Sequence, residues 1–155
     1  MCLSIALRRP DDVLKQGEHL GFEWMIIHNR CGYRCGYVRI PLGHPWHGAS
    51  DRDLYATVSV HGGLKFAEAD VPCDQGGADN AWWIGFDCAH YNDAADPSLP
   101  IDPELYAPLV IFGVGEIRTT EYVEAECLSL CEQAAESARS QSATSGTCHG
   151  QDARR

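Results

Sequence analysis

"WWIGFDCAH" occupies residues Trp82 to His90. Alternate side chains of a strand share a face, so Trp82, Ile84, Phe86 and Cys88 belong together, and Trp83, Gly85, Asp87 and Ala89 lie opposite. The stretch reads as a strand with one apolar face for a core and with Asp87 and His90 at its end. A second segment, "YATVSVH" (55–61), alternates in the same way. Ala56, Val58 and Val60 are apolar, and Tyr55, Thr57, Ser59 and His61 are polar. If both strands turn their apolar faces to one core, His61 and Asp87 must share the other face. His90 lies just past its strand, where a turn brings it towards them.

The remaining elements fall around this pair. "FEWMIIHN" (22–29) reads as a strand, and "RCGY" (34–37) leads into another that runs through Ile40, with "NRCG" (29–32) turning between them. "PLGHPWHGAS" (41–50) is a loop by its Pro and Gly content. Gly62-Gly63 turns the chain into "LKFAEA" (64–69), as a hairpin or as a bulge in a longer strand. Residues 70–80 are loop-like, and four prolines at 97, 100, 103 and 108 predict a long extended connection. "TTEYVEAECLSLCEQAAESA" is the clear helix. Thr119 or Thr120 caps it, and Val123, Cys127, Leu130, Cys131 and Ala134 recur on one face. The expected fold is therefore α+β: an antiparallel sheet of about four to five strands with one C-terminal helix packed on one face. Residues 1–139 form a single globular domain, and 140–155, rich in Ser, Ala, Thr and Gly without periodicity, form a disordered tail.

Composition narrows the function classes. The chain has 155 residues and a net charge of −10. Between residues 51 and 104 only Arg52 and Lys65 oppose eleven acidic groups. Direct nucleic-acid binding is not expected, because it needs a basic surface. No apolar run reaches the ~20 residues of a membrane span. At the N-terminus "MCLSIALRRPDD" puts its charges after the short apolar stretch, the reverse of a signal peptide, so the reading is cytoplasmic. The eight cysteines then read as reduced thiols. The C-x3-C pairs Cys31/Cys35 and Cys127/Cys131 are not zinc knuckles, and the second pair lies on the helix's core stripe.

Several residues carry both a functional and a plain structural reading. Asp87 can be a ligand or cap the following turn. His61 can be a site residue or a turn histidine. His44 and His47 flank "HPWH" in a loop, and at most one of them is functional. Cys88 is a candidate nucleophile with His61 or His90, but it sits on the apolar face. Trp82 and Trp83 point opposite ways, one to the core and the other, Trp83, to a groove or the sheet surface.

"CGYVRIPLGHP" (35–45), "HGGLKFAEA" (61–69) and "WWIGFDCAHYND" (82–93), followed by the helix, resemble a family of small uncharacterised phage and prophage proteins. The family pattern is a GYVxxPxGHP block, an HGGLTF block and a WWxGFDCAHxxD block. The likeness spans about residues 31–136. It carries over to His44, Pro45, His61, Gly62, Gly63, Trp82, Trp83, Asp87, Cys88, His90 and Asp93, while Lys65 stands where Thr is usual and Asn92 where Gly is usual. The resemblance implies a phage or mobile-element origin. It also implies an accessory protein directed at host defences, in the manner of anti-CRISPR proteins.

Three function classes follow. The first is a binding or inhibitory factor whose cleft, lined by His44, His61, Trp83, Asp87, His90 and Asp93, holds a small anionic ligand or a host defence protein. The second is a metal-dependent hydrolase with candidate ligands His44, His61, His90 and Asp87, since imidazole plus carboxylate suits zinc or a similar divalent ion. The third is an acidic mimic that occupies a basic nucleic-acid-binding site of a host effector. Binding is the leading expectation. The specific geometric expectation is that Asp87 and His61 lie within a hydrogen bond or one bridging water, with His44 or His90 completing the cluster.

Overall fold

The computed structural model describes residues 12–69, 81–102 and 115–145. Within them the expected α+β fold is present: a five-stranded antiparallel sheet in the order β1-β2-β3-β5-β4, with a long C-terminal helix across one face. The strands are β1 (Val13–His19), β2 (Phe22–His28), β3 (Arg34–Ile40), β4 (Phe66–Ala69) and β5 (Trp82–Asp87). A short helix α1 (Asp51–Leu54) precedes β4. Two further strands, β6 (Asp93–Ala94) and β7 (Glu116–Ile117), pair in parallel, and α2 runs from Thr120 to Ser145. No helix among the described residues is long and apolar enough to cross a membrane.

β1 has no counterpart in the sequence reading, because "VLKQGEH" is mostly polar. It forms because Leu20 (φ 51°) and Gly21 (φ 83°) make a two-residue turn with both φ angles positive, the geometry that matches strand twist in a hairpin. Gly17 then pairs with Trp24, and a Cβ at Gly17 would lie 2.7 Å from the indole, so glycine makes room for the ring. Lys15 and His19 pair with Glu124 and Glu132 of α2, which fastens this edge strand to the helix.

The helix follows its sequence pattern closely. Val123, Cys127, Leu130, Cys131 and Ala134 are each 0% exposed, packed with Ile26, Val38, Ile84 and Phe86 from the sheet. Thr119 is the cap: its hydroxyl accepts from the Tyr122 N–H at 3.2 Å. Gly36 lets the helix approach β3, since a Cβ there would sit 2.7 Å from Cys127 Sγ and closer still to Phe86. The helix continues to Ser145, past residue 140, the expected start of the tail. Residues 146–155 lie outside the described residues, as do the expected loop at 70–80 and the prolines at 103 and 108.

Parity in β5 holds. Ile84, Phe86 and Cys88 enter the core under α2, and Trp82 packs against it. Trp83 faces the other way but does not line a groove: it is 0% exposed in a second cluster with Met25, Ile27, Cys35 and Tyr37. Both faces of the sheet are therefore buried here.

Residues 55–61 are not a strand, which corrects the sequence reading. Ser50 and Asp53 form a reciprocal capping box, the hydroxyl accepting from Asp53 N–H and the carboxylate from Ser50 N–H at 3.0 Å. That starts a helical turn whose end is tightened by bonds from Thr57 and Val58 N–H to Leu54 O, both 2.9 Å. Beyond it, α2 side chains take the main-chain groups that a neighbouring strand would use. Ser59 N–H donates to Gln133 Oε1 (2.9 Å), Gln133 Nε2 donates to Ser59 O (2.8 Å), and His61 N–H donates to Glu126 Oε2 (2.8 Å). Of the three apolar residues in this segment, Val58 is buried, Val60 is partly buried and Ala56 is exposed.

Candidate metal centre

Three chain segments meet at the N-terminal end of α2. The turn at Gly62-Gly63 brings His61, the turn after β5 brings His90 and Asp93, and the stretch from β7 into the first turn of α2 brings Arg118 and Tyr122. At their centre is the Asp93 carboxylate, 1% exposed. Its Oδ2 accepts from the His90 N–H at 3.0 Å and contacts His61 Nε2 at 2.8 Å and His90 Nδ1 at 3.3 Å. Its Oδ1 accepts from Arg118 Nε at 2.7 Å. Burial works against the charge on Asp93, but the bonds from Arg118, His61 and the His90 amide outweigh it and hold the carboxyl at about 2.

His61 and Arg118 are held from behind as well. His61 Nδ1 meets the Tyr122 hydroxyl at 3.0 Å. Arg118 donates through Nη1 to Glu116 Oε2 at 2.7 Å and lies 5.0 Å over the Tyr122 ring. Farther back, Arg34 donates to the Arg118 carbonyl at 3.0 Å and to Asp96 at 2.7 Å, which fixes the backbone from which Arg118 reaches in. His90 Nε2 is buried without a hydrogen-bond partner and lies 3.9 Å from Asp87 Oδ1. The two imidazoles stand edge to face, with centroids 5.3 Å apart. Donor atoms of His61, His90 and Asp93 all lie within 4.8 Å of one another, an arrangement able to hold a metal ion.

Of the residues expected at the site, His61, His90 and Asp93 form it. The partner of His61 is Asp93, not Asp87, so the predicted His61–Asp87 pair is corrected. Its premise was a shared strand face, and 55–61 is no strand. Asp87 instead accepts from Ala89 N–H at 3.0 Å, the turn-capping role, and approaches His90 from outside the cluster.

His44 lies elsewhere. Its Nε2 donates to Ala134 O at 2.9 Å and its Nδ1 accepts from Trp46 N–H at 3.0 Å. Both ring nitrogens are thus spent on docking the 41–50 loop to α2, and burial lowers its pKa, which favours the neutral ring. Trp83 is buried in the second core cluster. Cys88 is 1% exposed, and burial raises its thiol to about 12, so it is not an activated nucleophile.

Arg118 and Tyr122 escaped the sequence reading. An arginine placed just ahead of a helix N-terminus, together with an aromatic one turn in, is the only local sign of them.

Gly62 sets the spacing between the two histidines. Its φ is +64°, and a Cβ there would overlap the His90 ring. Gly63 is also left-handed at φ +78°, but it has open space around its Cβ position. Both Ala substitutions should cost about 1 kcal/mol in backbone strain. Only Gly62→Ala should also displace His90. NMR of the imidazole resonances should show His61 and His90 shifted in Gly62→Ala and unchanged in Gly63→Ala. Equal effects would mean that the glycine serves the turn alone.

No protein-family model matches the sequence, and no curated protein or solved structure matches it.

Proposed function

We propose that the protein binds a divalent transition-metal ion of the zinc class through His61 Nε2, His90 Nδ1 and Asp93 Oδ2, and that it uses the remaining coordination position for hydrolysis. One observation carries this reading: all three donors converge, and His61 and Asp93 are each held from behind by a second group. Tyr122 stands behind His61, Arg118 behind Asp93, and Asp87 near the orphaned His90 Nε2. Such outer partners orient metal ligands and tune their basicity. Three protein ligands with a fourth position left for water is the pattern of catalytic zinc. The side chains of His61 and His90 are 13% and 31% exposed, so water can reach the cluster.

Tetrahedral ligands around zinc stand about 3.4 Å apart, against 2.8 and 3.3 Å here. An opening of about 0.6 Å at the shorter contact admits the ion in place of a hydrogen on His61 Nε2. Metal binding should weaken as pH falls, because imidazole and carboxylate hold a metal only in their unprotonated forms. The bound ion would lower the pKa of a water molecule and make it a nucleophile near neutral pH.

An anion is a poorer occupant of this cluster. Arg118 is already committed to Asp93 and Glu116, and the Asp93 carboxylate fills the place an anion would take. The resemblance to phage and prophage proteins supports a mobile-element accessory factor directed at a host system as the setting for this chemistry.

Protein purified without chelator should carry about one equivalent of zinc or a similar ion by elemental analysis. In competition with a chromogenic chelator, His61→Ala and His90→Ala should each weaken zinc binding at least about a hundredfold, and Tyr122→Phe about tenfold. Wild-type protein that binds zinc no better than the His61→Ala/His90→Ala double variant would overturn the proposal.

A further inference from the structure

His90 stands between two carboxylates. Its Nδ1 lies 3.3 Å from Asp93 Oδ2, and its Nε2 lies 3.9 Å from Asp87 Oδ1. Nε2 is buried and has no hydrogen-bond partner among the described residues. Gly62 packs against that edge of the ring, since a Cβ there would lie 2.2 Å from Nε2. A neutral imidazole carries one N–H and one lone pair, and an ionised carboxylate can only accept. Whichever nitrogen of His90 holds the hydrogen, the lone pair of the other faces a negative oxygen. A second proton on the ring would remove this conflict. A metal ion on Nδ1 removes it too, because the lone pair then meets the ion and the hydrogen on Nε2 meets Asp87.

His61 has no such conflict. Its Nε2 lies 2.8 Å from Asp93 Oδ2, and its Nδ1 lies 3.0 Å from the Tyr122 hydroxyl, which can donate or accept. The His61 ring is thus matched with or without an ion, whereas the neutral His90 ring is matched only with one. Asp87 makes that difference. Its Oδ1 takes the Ala89 N–H at 3.0 Å, which holds the carboxylate at the end of β5.

We propose that Asp87 is a positioning residue of the metal centre: it accepts the Nε2 hydrogen of His90 and so directs the Nδ1 lone pair to an ion held with His61 and Asp93. This deepens the metal-binding reading and rests on it. A hydrogen bond needs about 2.9 Å, so the two side chains, 31% and 33% exposed, close by about 1 Å when the ion binds. Where the hydrogen starts on Nδ1, it leaves to water and Nε2 takes one from water, so the ring stays neutral. A carboxylate so placed fixes the ring and raises the basicity of the ligating nitrogen.

Asp87→Ser and Asp87→Asn in the full-length protein separate this role from the turn. Both keep an acceptor for the Ala89 amide, but only asparagine is long enough to reach Nε2. In metal-free protein, side-chain 15N spectra should show His90 shifted toward its Nδ1–H form in Asp87→Ser, because the charge facing Nε2 is gone. In competition with a chromogenic chelator, Asp87→Ser should weaken zinc binding about tenfold, and Asp87→Asn should restore most of it. In zinc-loaded wild type the hydrogen on His90 Nε2 should exchange slowly with water, and in Asp87→Ser it should exchange faster. Wild-type zinc affinity in Asp87→Ser, with binding still lost in His90→Ala, would overturn this inference and leave the metal centre standing. An unchanged His90 tautomer in metal-free Asp87→Ser would also overturn it. Wild-type protein that takes up no zinc would overturn the inference and the metal centre together.

Discussion

Leu130→Asp is expected to abolish the folded state. Leu130 is 0% exposed at the middle of the α2 stripe, between Cys127 and Ala134 and against both the strands and Cys131. Losing the leucine removes about 2–3 kcal/mol of apolar burial. Forcing a carboxylate into that place without a partner adds several kcal/mol more. The sum approaches the whole stability of a domain of this size, about 5–15 kcal/mol. Far-UV circular dichroism should show lost helix and sheet signal, and size-exclusion chromatography should show aggregate. Ala125→Asp, on the exposed side of the same helix, should stay folded within about 1 kcal/mol. Native spectra for Leu130→Asp would mean that α2 does not form the core against the sheet.

That experiment tests the part of the fold most legible in the sequence. The α2 stripe could be read because five small or apolar residues at helical spacing fit a helix laid on a core and little else. β5 could be read in the same way, since the alternation from Trp82 to Cys88 is strict on the α2 side. Alternation failed at 55–61, where the period was right but the partner was wrong. Side chains of Gln133 and Glu126, more than sixty residues away, capture the main-chain groups there, and no local pattern reveals that. β1 was hidden for the opposite reason. As an edge strand tied to α2 by charged groups, it needs few apolar residues, and its turn depends on Leu20 accepting a positive φ.

The candidate site divides along the same line. His61, His90 and Asp93 stand out by residue type and by the sequence blocks that hold them, but which carboxylate meets which imidazole depends on three loops converging in space. Parity favours Asp87 because it is a local rule. Asp93 prevails because the turn after β5 folds its carboxylate back onto the His90 amide at 3.0 Å, and β7 then delivers Arg118 from the far side. The histidine left out, His44, shows how loop chemistry misleads: "GHPWH" offers two imidazoles in an exposed-looking stretch, yet His44 serves the Trp46 amide and the Ala134 carbonyl.

Asp93→Ala should be the most damaging single change at the site, with or without metal. The carboxylate receives Arg118 Nε at 2.7 Å, His61 at 2.8 Å and the His90 N–H at 3.0 Å, all in a place that is 1% exposed. Truncation leaves those groups without an acceptor, and removing one partner of a buried pair typically costs about 3–5 kcal/mol. For a chain of this length that is a fall of roughly 10 °C in the melting midpoint. The metal-free comparison isolates this structural part. Added zinc then isolates the other. At a hundredfold excess over its dissociation constant, an ion that binds only the folded state stabilises it by about 2.7 kcal/mol. Wild-type protein should show that rise in midpoint, and Asp93→Ala should show none. Asp93→Asn refines the comparison. It keeps the shape and a carbonyl for Arg118 but loses the charge, so it should recover part of the metal-free stability and little of the zinc response. If Asp93→Ala melts within about 1 kcal/mol of wild type without metal, the carboxylate is not the hub of the cluster. If wild type and variant respond equally to zinc, the ion binds elsewhere, and the convergence of His61, His90 and Asp93 is a structural clasp that joins two loops to the start of α2.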